Sequence, residues 1–279
     1  FLALPAIISA CSKLADAVME RVHPLARGFE EVGAGNLDIS VEVAGSKEFA
    51  DLARGFNTMV GDLALSSRME RAFGQYLSTK LLDRIRAQHG DAHLPASLRD
   101  STVFFADIRG FTSMSENKEP QEVLDILNRY FDKVIPIVHD HDGYLDKFIG
   151  DEFFVVFNGP VDQADHAERG ARCAIAVQEQ VALLNKEGFF DDIGGLQIGI
   201  GLATGPLVAG NLGSKEQMEY TVIGDTVNLA SRLTSKASAG QIITNAANVA
   251  AQDLSSIPLE PIKVKGREEQ VIPHRLWPL

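Results

Sequence analysis

Two stretches near the N-terminus carry apolar residues at alternating spacings of three and four. They span residues 14–32 and 49–63, and between them residues 37–43 alternate apolar with polar. The first spacing is typical of helices with one apolar face and the second of extended chain, so the pattern predicts two amphipathic helices joined by an extended connector. Such short helices cannot bury their apolar faces alone, so we expect a parallel dimer, with a helical hairpin packed on the next domain as the alternative. The apolar faces comprise Leu14, Val18, Val22, Leu25, Phe29 and Val32, then Phe49, Leu52, Phe56, Met59 and Leu63.

The segment Met19–Ser66 resembles the HAMP signal-relay module. The resemblance rests on Pro24 early in the first helix, on "GNLDISVEV" as the connector and on "KEFADLARGFNTMV" as the second helix. HAMP modules commonly sit just inside a membrane and relay motion from a transmembrane sensor. We therefore expect residues 1–18 to be the end of a transmembrane helix, with the rest of the chain on the cytoplasmic side of the cell membrane. The opening apolar run of about ten residues is too short to cross a bilayer by itself, and an apolar helix start is the alternative.

A second domain is predicted to follow a helical linker at residues 67–96. Gly90, Asp91 and Pro95 end that linker. Strands and helices then alternate through residues 97–279, with one tight hairpin, which predicts an α+β domain built on a mostly antiparallel sheet. The predicted strands are 103–107, two strands within 144–157, 196–205 and 240–245, and the predicted helices are 121–139, 163–186 and 226–238.

Composition narrows the classes of partner. The apolar fraction of 45% and charged fraction of 23% are ordinary for a folded protein. A formal charge of −12 disfavours nucleic-acid binding, which needs clustered Lys and Arg. Two cysteines, Cys11 and Cys173, make no disulfide framework, so we expect a reducing compartment.

Two pairs of histidines have spacings that suggest metal binding. Each pair lies in a polar segment between predicted elements and has no further ligand nearby in the sequence. We interpret both as solvated turns: His89 with His93, and His139 with His141.

Two apolar strands end at an aspartate. Val103–Asp107 ends on a carboxylate, and Asp151 occupies the predicted turn of "KFIGDEFF". Each alone is explained by a cap or a turn, but together they can place two carboxylates at one edge of a sheet. Mg²⁺ prefers one or two carboxylates with phosphate oxygens, and Gly110 behind Asp107 lets backbone amides approach a phosphate. The pair therefore predicts a divalent-metal site that handles a phosphoryl group.

Three segments resemble the signatures of class III nucleotide cyclases. They are "FFADIRGFTSMSE", "LDKFIGDEFFVVF" and "EYTVIGDTVNLASRL", in the expected order, and the likeness covers residues 97–279. The resemblance implies a ferredoxin-like βαβ-βαβ core, conversion of a nucleoside triphosphate to its 3′,5′-cyclic monophosphate and pyrophosphate, and a head-to-tail homodimer with active sites in the interface. It also implies two Mg²⁺ or Mn²⁺ ions per site.

The resemblance assigns roles to individual residues. The metal-binding aspartates of the family fall on Asp107 and Asp151, with the Ile108 carbonyl as a further ligand. The pair that selects the base falls on Lys147 and Thr221, where an ammonium can donate to adenine N1 and a hydroxyl can accept from the N6 amine. The expected substrate is therefore ATP.

Other residues would hold the triphosphate and the transition state. Asn228 is expected to orient the ribose and Arg232 to stabilise charge on the α-phosphate. Lys265 in "KVKGR" matches a triphosphate-binding lysine, and Lys215 is a weaker candidate. The loop predicted to approach the phosphates comprises Gly110, Phe111 and Thr112.

Several alternatives stay open at this point. A Glu at position 147 would have favoured guanine, and many adenylyl cyclases have Asp where this chain has Thr221. The Thr variant resembles a subclass that responds to bicarbonate, which makes bicarbonate a candidate activator. "IGDEFFVVF" also resembles the hairpin of diguanylate cyclases, although Ile149 replaces the first Gly of that motif. A cyclase-like dimer that binds nucleotide without turnover is the non-enzymatic alternative.

Overall fold

The computed structural model describes residues 3–42, 46–76, 81, 94–214, 216–250, 255–262 and 270–276. The chain divides into two compact units, Phe1–Leu77 and Ser78–Leu279. The first is helical and the second combines helices with a sheet.

The N-terminal unit contains helix α1 (Ala3–Gly33) and helix α2 (Lys47–Tyr76). The rings of Phe29 and Phe56 pack edge to face with centroids 4.9 Å apart. Gly28 permits this approach, since a Cβ there would lie 2.7 Å from Phe56 Cζ. The side-chain amide of Asn57 holds the connector by two hydrogen bonds of 2.8 Å, one to the N–H and one to the carbonyl of Val41. The predicted order of helix, connector and helix is confirmed.

Much of the predicted apolar face of this unit is exposed. Among its members, Val22, Phe29, Leu52 and Leu63 are 39–59% exposed, while Phe56 is buried. Exposed apolar residues at heptad spacing are those that a second copy would cover, so the parallel dimer stays a prediction. Within the described ranges, no helix is both long enough and apolar enough to cross a bilayer.

The C-terminal unit begins with the core that carries the site. Strands β1 (Ser97–Ile108), β2 (Tyr144–Ile149), β3 (Glu152–Phe157) and β4 (Ile198–Gly213) form the central sheet in the order β2–β3–β1–β4. Helix α4 (Pro120–Asp140) follows β1, and helix α5 (His166–Lys186) follows β3. These elements make two βαβ units with the ferredoxin-like strand order. The remaining elements of this core are α3 (Phe111–Ser115), after β1, and a 3₁₀ turn (Asp191–Ile193), before β4.

Further elements extend this core. Strand β6 (Ile242–Asn245) pairs with β4 in parallel, and β8 (Pro273–Leu276) and then β7 (Ser256–Pro258) lie beyond it in the sheet. Strand β5 (Met218–Ile223) pairs antiparallel with the C-terminal half of β4. All other described strand pairings are antiparallel. The predicted α+β class with a mostly antiparallel sheet is confirmed. The described helices of this part are α6 (Asp225–Lys236) and α7 (Ala246–Ala250).

Strand β1 is buried on both faces, which explains its continuous apolar run. Phe104 belongs to the core under α4 and α5, whereas Phe105 belongs to the core under α6. Helix α6 lies very close to β4, because a Cβ at Gly201 would overlap the backbone of Thr234. A glycine is therefore required where helix and strand meet.

The sheet is more extensive than the sequence predicts. Strand β4 continues eight residues beyond the predicted end at residue 205, through Pro206. On the edge of β4 away from β1, residues 200–202 pair with β6 and residues 208–213 pair with β5. Pro206 lies between these two stretches, where β4 pairs only with β1, so the N–H that proline lacks is not needed for a hydrogen bond on that edge. Strand β5, which pattern alone did not predict, contributes directly to the site.

Candidate active site

Asp107 lies near the end of β1, opposite Gly199 of β4. Its carboxylate forms an ion pair with the guanidinium of Arg109. The same guanidinium donates to the carbonyl oxygens of Thr234 and Ala237, at 3.3 and 3.2 Å, at the end of α6. The charge that ends this buried strand therefore has a partner within the protein, and Arg109 ties it to α6.

Asp151 lies in the tight turn between β2 and β3. Gly150 precedes it with a φ of +67°, a conformation that glycine adopts without strain. The carboxyl of Asp151 lies close enough to that of Asp107 and to the backbone N–H of Ile108 for both to affect its pKa. Burial, followed by the hydrogen bond and the charge of Asp107, raises the pKa of Asp151 to about 6. The charge of Asp107 therefore disfavours the ionised form of Asp151, and a cation beside the two carboxyls would relieve this repulsion.

Two further residues of this acidic group were not predicted from the sequence. Glu152 opens β3, and burial together with the charges of Asp107 and Asp151 raises its pKa to about 7, with Arg109 opposing. Tyr130 reaches the group from α4, where its hydroxyl is fully buried and has no hydrogen-bond partner in the described parts of the chain. Burial, then the two aspartate charges, raises the pKa of Tyr130. The adjacency of Glu152 to Asp151 was a usable signal, whereas Tyr130 was hidden within an apolar helix face.

The donor set fits a divalent ion. In the described ranges no three His, Cys, Asp or Glu side chains are grouped as metal ligands, so the candidates are two carboxylates and the Ile108 carbonyl. Mg²⁺ suits such a set, because it binds one or two carboxylates and keeps its other positions for water and phosphate. Repulsion between Asp107 and Asp151 is what a bound cation would relieve.

The loop behind Asp107 is the segment predicted to bind phosphate. Gly110 has a φ of +74° and lies directly before α3. Phe111 and Thr112 are the first residues of that short helix, where backbone N–H groups have no acceptor within the helix. The three residues therefore lie next to the acidic pair, and their contact with phosphate stays a prediction.

Lys147 of β2 and Thr221 of β5 are brought together around a third residue, Asp146. The hydroxyl of Thr221 donates to Asp146 Oδ2 at 2.9 Å, and Lys147 Nζ lies 3.3 Å from the same oxygen. The Lys147 ammonium also contacts Glu219 Oε1 at 2.6 Å. The Asp146 side chain is fully buried, whereas that of Lys147 is 32% exposed. The pair predicted to select the base is thus part of a four-residue cluster that the sequence did not predict.

The pKa values of Asp146 and Lys147 are both raised in this cluster, but for different reasons. Burial raises the pKa of Asp146 to about 6, although the Lys147 charge and the Thr221 hydrogen bond oppose the shift. Partial burial lowers the pKa of Lys147, but the hydrogen bond to Glu219 and the charges of Asp146 and Glu219 outweigh it, so this pKa lies above its ordinary value. At neutral pH the cluster therefore contains an ionised carboxylate beside an ammonium.

A bulge in β2 places Asp146 and Lys147 in one cluster. Pairing with β3 runs regularly to Leu145, then shifts register so that Lys147 faces Phe154 and Asp146 has no partner residue. In a regular strand, consecutive side chains point to opposite faces. Because an extra residue re-aims the side chains around it, Asp146 and Lys147 can both reach β5.

Asn228 and Arg232 lie one turn apart on α6. Asn228 is exposed and Arg232 half-buried, while Leu229 and Leu233 on the other side are fully buried. The helix therefore presents the two predicted transition-state residues on one side, as the spacing of four requires. Lys265 and Lys215 lie outside the described residues, and so do His89 and His93.

Comparison with known proteins places the two units in two families. A model described as adenylate and guanylate cyclase catalytic domain matches residues 95–275, and a model described as HAMP domain matches residues 13–64. Adenylate cyclase 1 of Rhizobium meliloti (strain 1021) is 38% identical over 173 residues, which are 61% of this chain and 26% of the relative. An uncharacterized protein of Mycobacterium tuberculosis (strain ATCC 25618 / H37Rv) is 33% identical over 213 residues, 76% of this chain and 38% of the relative. The chain thus spans well under half the length of these relatives.

Similarity to solved structures also identifies the cyclase catalytic domain, but it does not distinguish adenine from guanine as the base of the substrate. The adenylyl cyclase CyaB from P. aeruginosa is 33% identical, with a TM-score of 0.63 over 66% of this chain and 96% of that one. The guanylyl cyclase Cya2 is also 33% identical, with a TM-score of 0.62 over 66% and 94%. Similarity of this degree to both kinds of cyclase leaves the choice of purine to the residues of the site.

Proposed function

Because the chain belongs to the adenylate and guanylate cyclase catalytic domain family, we propose that it converts ATP to 3′,5′-cyclic AMP and pyrophosphate. Family membership establishes a class III nucleotidyl cyclase domain preceded by a HAMP domain. The choice of ATP, the roles of individual residues and the assembly are the proposal.

The observation that carries the proposal is the meeting of Lys147 and Thr221 around Asp146. A protonated lysine can only donate, which suits the N1 acceptor of adenine and opposes the N1–H of guanine. The Thr221 hydroxyl, 2.9 Å from Asp146, can accept from the adenine N6 amine. The Lys147 donor and the Thr221 acceptor are therefore complementary to the N1 acceptor and the N6 donor along one edge of adenine.

The remaining residues divide the chemistry among them. Divalent ions held by Asp107, Asp151 and the Ile108 carbonyl would polarise the phosphoryl group and lower the pKa of the ribose 3′-hydroxyl. Asn228 orients the ribose so that its 3′-oxygen lies in line with the α-phosphorus. Arg232 donates to the α-phosphate as negative charge gathers there, while the bond to the departing pyrophosphate breaks. No covalent enzyme intermediate is required.

We also propose that a homodimer forms two equivalent sites. One chain carries both the acidic pair and the base-recognition cluster, so two copies arranged head to tail can combine the acidic pair of one with the cluster of the other. The β4–β5 ribbon supports this arrangement, since Val208, Leu212, Met218 and Ile223 are large apolar residues that are 43–55% exposed.

The first experiment is an assay of the purified chain with ATP or GTP, in Mg²⁺ and in Mn²⁺, with Asp107→Ala as the control. Cyclic AMP that disappears in the variant supports the proposal. Cyclic GMP as the main product would retain the reaction and overturn the base assignment. Binding of ATP without any cyclic product in either metal would favour the non-enzymatic dimer.

A guanylyl activity is the second candidate, and one contact favours it. Glu219 Oε1, 2.6 Å from Lys147 Nζ, is a carboxylate that could accept from the N1–H and N2 amine of guanine. The same assay separates the two candidates. If the Glu219 carboxylate recognises guanine, Glu219→Gln would abolish GTP turnover. If it does not and adenine is the base, the same variant would leave ATP turnover largely intact.

We further propose that the N-terminal unit relays a signal from a membrane-bound sensor to the cyclase domain. The HAMP match and the exposed apolar residues of α1 and α2 support this regulation. Deleting Met19–Ser66 should change basal activity or the dimer dissociation constant, measured by turnover and by analytical ultracentrifugation. A deletion variant that matches the full chain in both would contradict the relay.

A further inference from the structure

The cluster around Lys147 and Thr221 contains the carboxylate of Asp146, whose buried charge is explained neither by a contribution to folding nor by the pair predicted to select the base. Asp146 is fully buried, and its Oδ1 has no hydrogen-bond partner in the described residues. A buried carboxylate with an unpaired oxygen is unfavourable for stability, and a neutral side chain of the same size would be better tolerated. Its Oδ2, by contrast, contacts both Thr221 and Lys147. The charge is therefore directed at the two residues that read the base.

A threonine hydroxyl by itself cannot select between adenine and guanine. Its oxygen can accept from the N6 amine of adenine, or its hydrogen can donate to the O6 carbonyl of guanine, by rotation about one bond. Selectivity requires that the hydrogen be held elsewhere. An ionised carboxylate only accepts, so Thr221 must donate its single hydrogen to Asp146 Oδ2, and only lone pairs remain for the substrate.

The same carboxylate acts on Lys147. The ammonium has three N–H bonds, of which one is directed at Asp146 and one at Glu219. The third is then available to donate to adenine N1. Asp146 thus fixes the hydrogen-bonding direction of the hydroxyl and the position of the ammonium together.

We propose that Asp146 is a positioning residue that makes the site selective for adenine by holding the Thr221 hydroxyl as an acceptor. This inference rests on the proposed function, because it concerns the base of the same substrate. The β2 bulge is the structural device that makes it possible, since it allows adjacent residues 146 and 147 to face β5 together.

The test measures the ratio of kcat/KM for ATP to kcat/KM for GTP in the full chain. Asp146→Asn replaces an obligate acceptor with an amide that can also donate, so Thr221 regains the freedom to donate to guanine. We expect the ratio to fall about tenfold, mainly through KM, as for loss of one hydrogen bond involving a charged group. Asp146→Ser, which is also neutral, should lower the ratio in the same direction. Asp192→Asn, which removes an exposed charge far from the cluster in sequence, is the matched control and should leave the ratio unchanged.

A double-variant comparison separates positioning from a general structural effect. Thr221→Val removes the hydroxyl, and we expect Asp146→Asn to cause little further loss of selectivity in that background, because Glu219 still holds the Lys147 ammonium and the effect of Asp146 on selectivity passes through the hydroxyl. Equilibrium binding of 3′-deoxy-ATP and 3′-deoxy-GTP, which cannot cyclise, should show the same non-additive pattern. Additive losses, or an Asp146→Asn protein that keeps the wild-type ratio, would overturn the inference.

Failure of the proposed function gives a different result. If the unsubstituted chain forms mainly cyclic GMP or no cyclic nucleotide, the assignment of ATP is wrong and this inference falls with it. If the unsubstituted chain prefers ATP and the Asp146 variants do so equally, only the role of Asp146 is wrong.

Discussion

The two ends of the β2–β3 hairpin each hold a carboxyl group whose pKa is raised to about 6, but their surroundings are opposite. At the turn, Asp151 faces another carboxyl, Asp107, and a third, Glu152, lies beside them. At the bulge, Asp146 faces the ammonium of Lys147 and the hydroxyl of Thr221. The first group has three carboxyls and the single guanidinium of Arg109, which pairs with Asp107, whereas Asp146 itself contacts an ammonium.

This difference indicates two uses of buried charge on one hairpin. An acidic group with more carboxyls than cations can be completed from outside, and a divalent ion with a triphosphate would meet that need. A carboxylate that already has a cation and a hydroxyl donor recruits nothing further, but it fixes the direction in which its neighbours can hydrogen-bond. The first arrangement suits catalysis and the second suits recognition.

Removing the acidic pair should have the largest effect. Asp107→Ala or Asp151→Ala should lower kcat at least about 10³-fold, because a bound metal ion contributes several kcal/mol to stabilising the transition state. Mn²⁺ binding, followed by electron paramagnetic resonance, should weaken in parallel, while Asp192→Ala should match the unsubstituted chain. Full turnover in either aspartate variant would refute the metal assignment.

Substitution of Arg232 on α6 should have the next-largest effect. Arg232→Ala should lower kcat about 10²-fold with little change in KM, since its contact strengthens only as charge gathers on the α-phosphate. Arg232→Lys should retain part of the rate, and Lys236→Ala, one turn further along the same helix, should retain all of it. An unchanged kcat with a raised KM would instead make Arg232 a ground-state binding residue.

Besides its effect on base selectivity, the bulge carboxylate Asp146 should affect stability. Because the folded pKa of Asp146, about 6, lies above the ordinary value of 3.8, its contribution to stability is present below pH 4 and lost as pH rises through 6. Asp146→Asn should therefore raise the free energy of unfolding by about 2 kcal/mol at pH 7.5 and hardly change it at pH 4, as measured by denaturant titration.

Asp192 should show the opposite change in the free energy of unfolding, because its pKa is lowered where that of Asp146 is raised. Its hydrogen bond to Arg129 lowers its pKa, so Asp192→Asn should slightly weaken the fold at pH 7.5. An Asp146→Asn protein less stable than the parent at pH 7.5 would mean that the Lys147 and Thr221 contacts outweigh the burial of the charge.

Bicarbonate should have the smallest effect. With Thr221 in place of the commoner Asp, we expect bicarbonate to raise ATP turnover about fivefold at constant pH and ionic strength, near the low end of ordinary coupling between sites. In Thr221→Asp, the turnover with bicarbonate should equal the turnover without it. A flat response of the parent chain against sodium chloride would reject bicarbonate as an activator.

The acidic pair could be found from the sequence because local chemistry marks it. Asp107 ends a run of apolar residues that only a doubly buried strand explains, and Asp151 follows a glycine in a turn between two such strands. The helix spacing of Asn228 and Arg232 is equally local. Asp146 carries no such mark, since strict alternation would place it and Lys147 on opposite faces of β2, and only the bulge overrides that rule.

The sequence by itself determined the order of the helices and strands around the acidic pair, the α+β class and the residues that stand at the ends of those strands, because these depend on spacing along a few neighbouring positions. Tertiary structure alone decided that Thr221 would meet Asp146, 75 residues away, and that Arg109 would join Asp107 to the end of α6. Such contacts depend on how β5 folds back from β4 and how closely α6 packs on the sheet. Those distances follow from the packing of the whole domain, which no local pattern records.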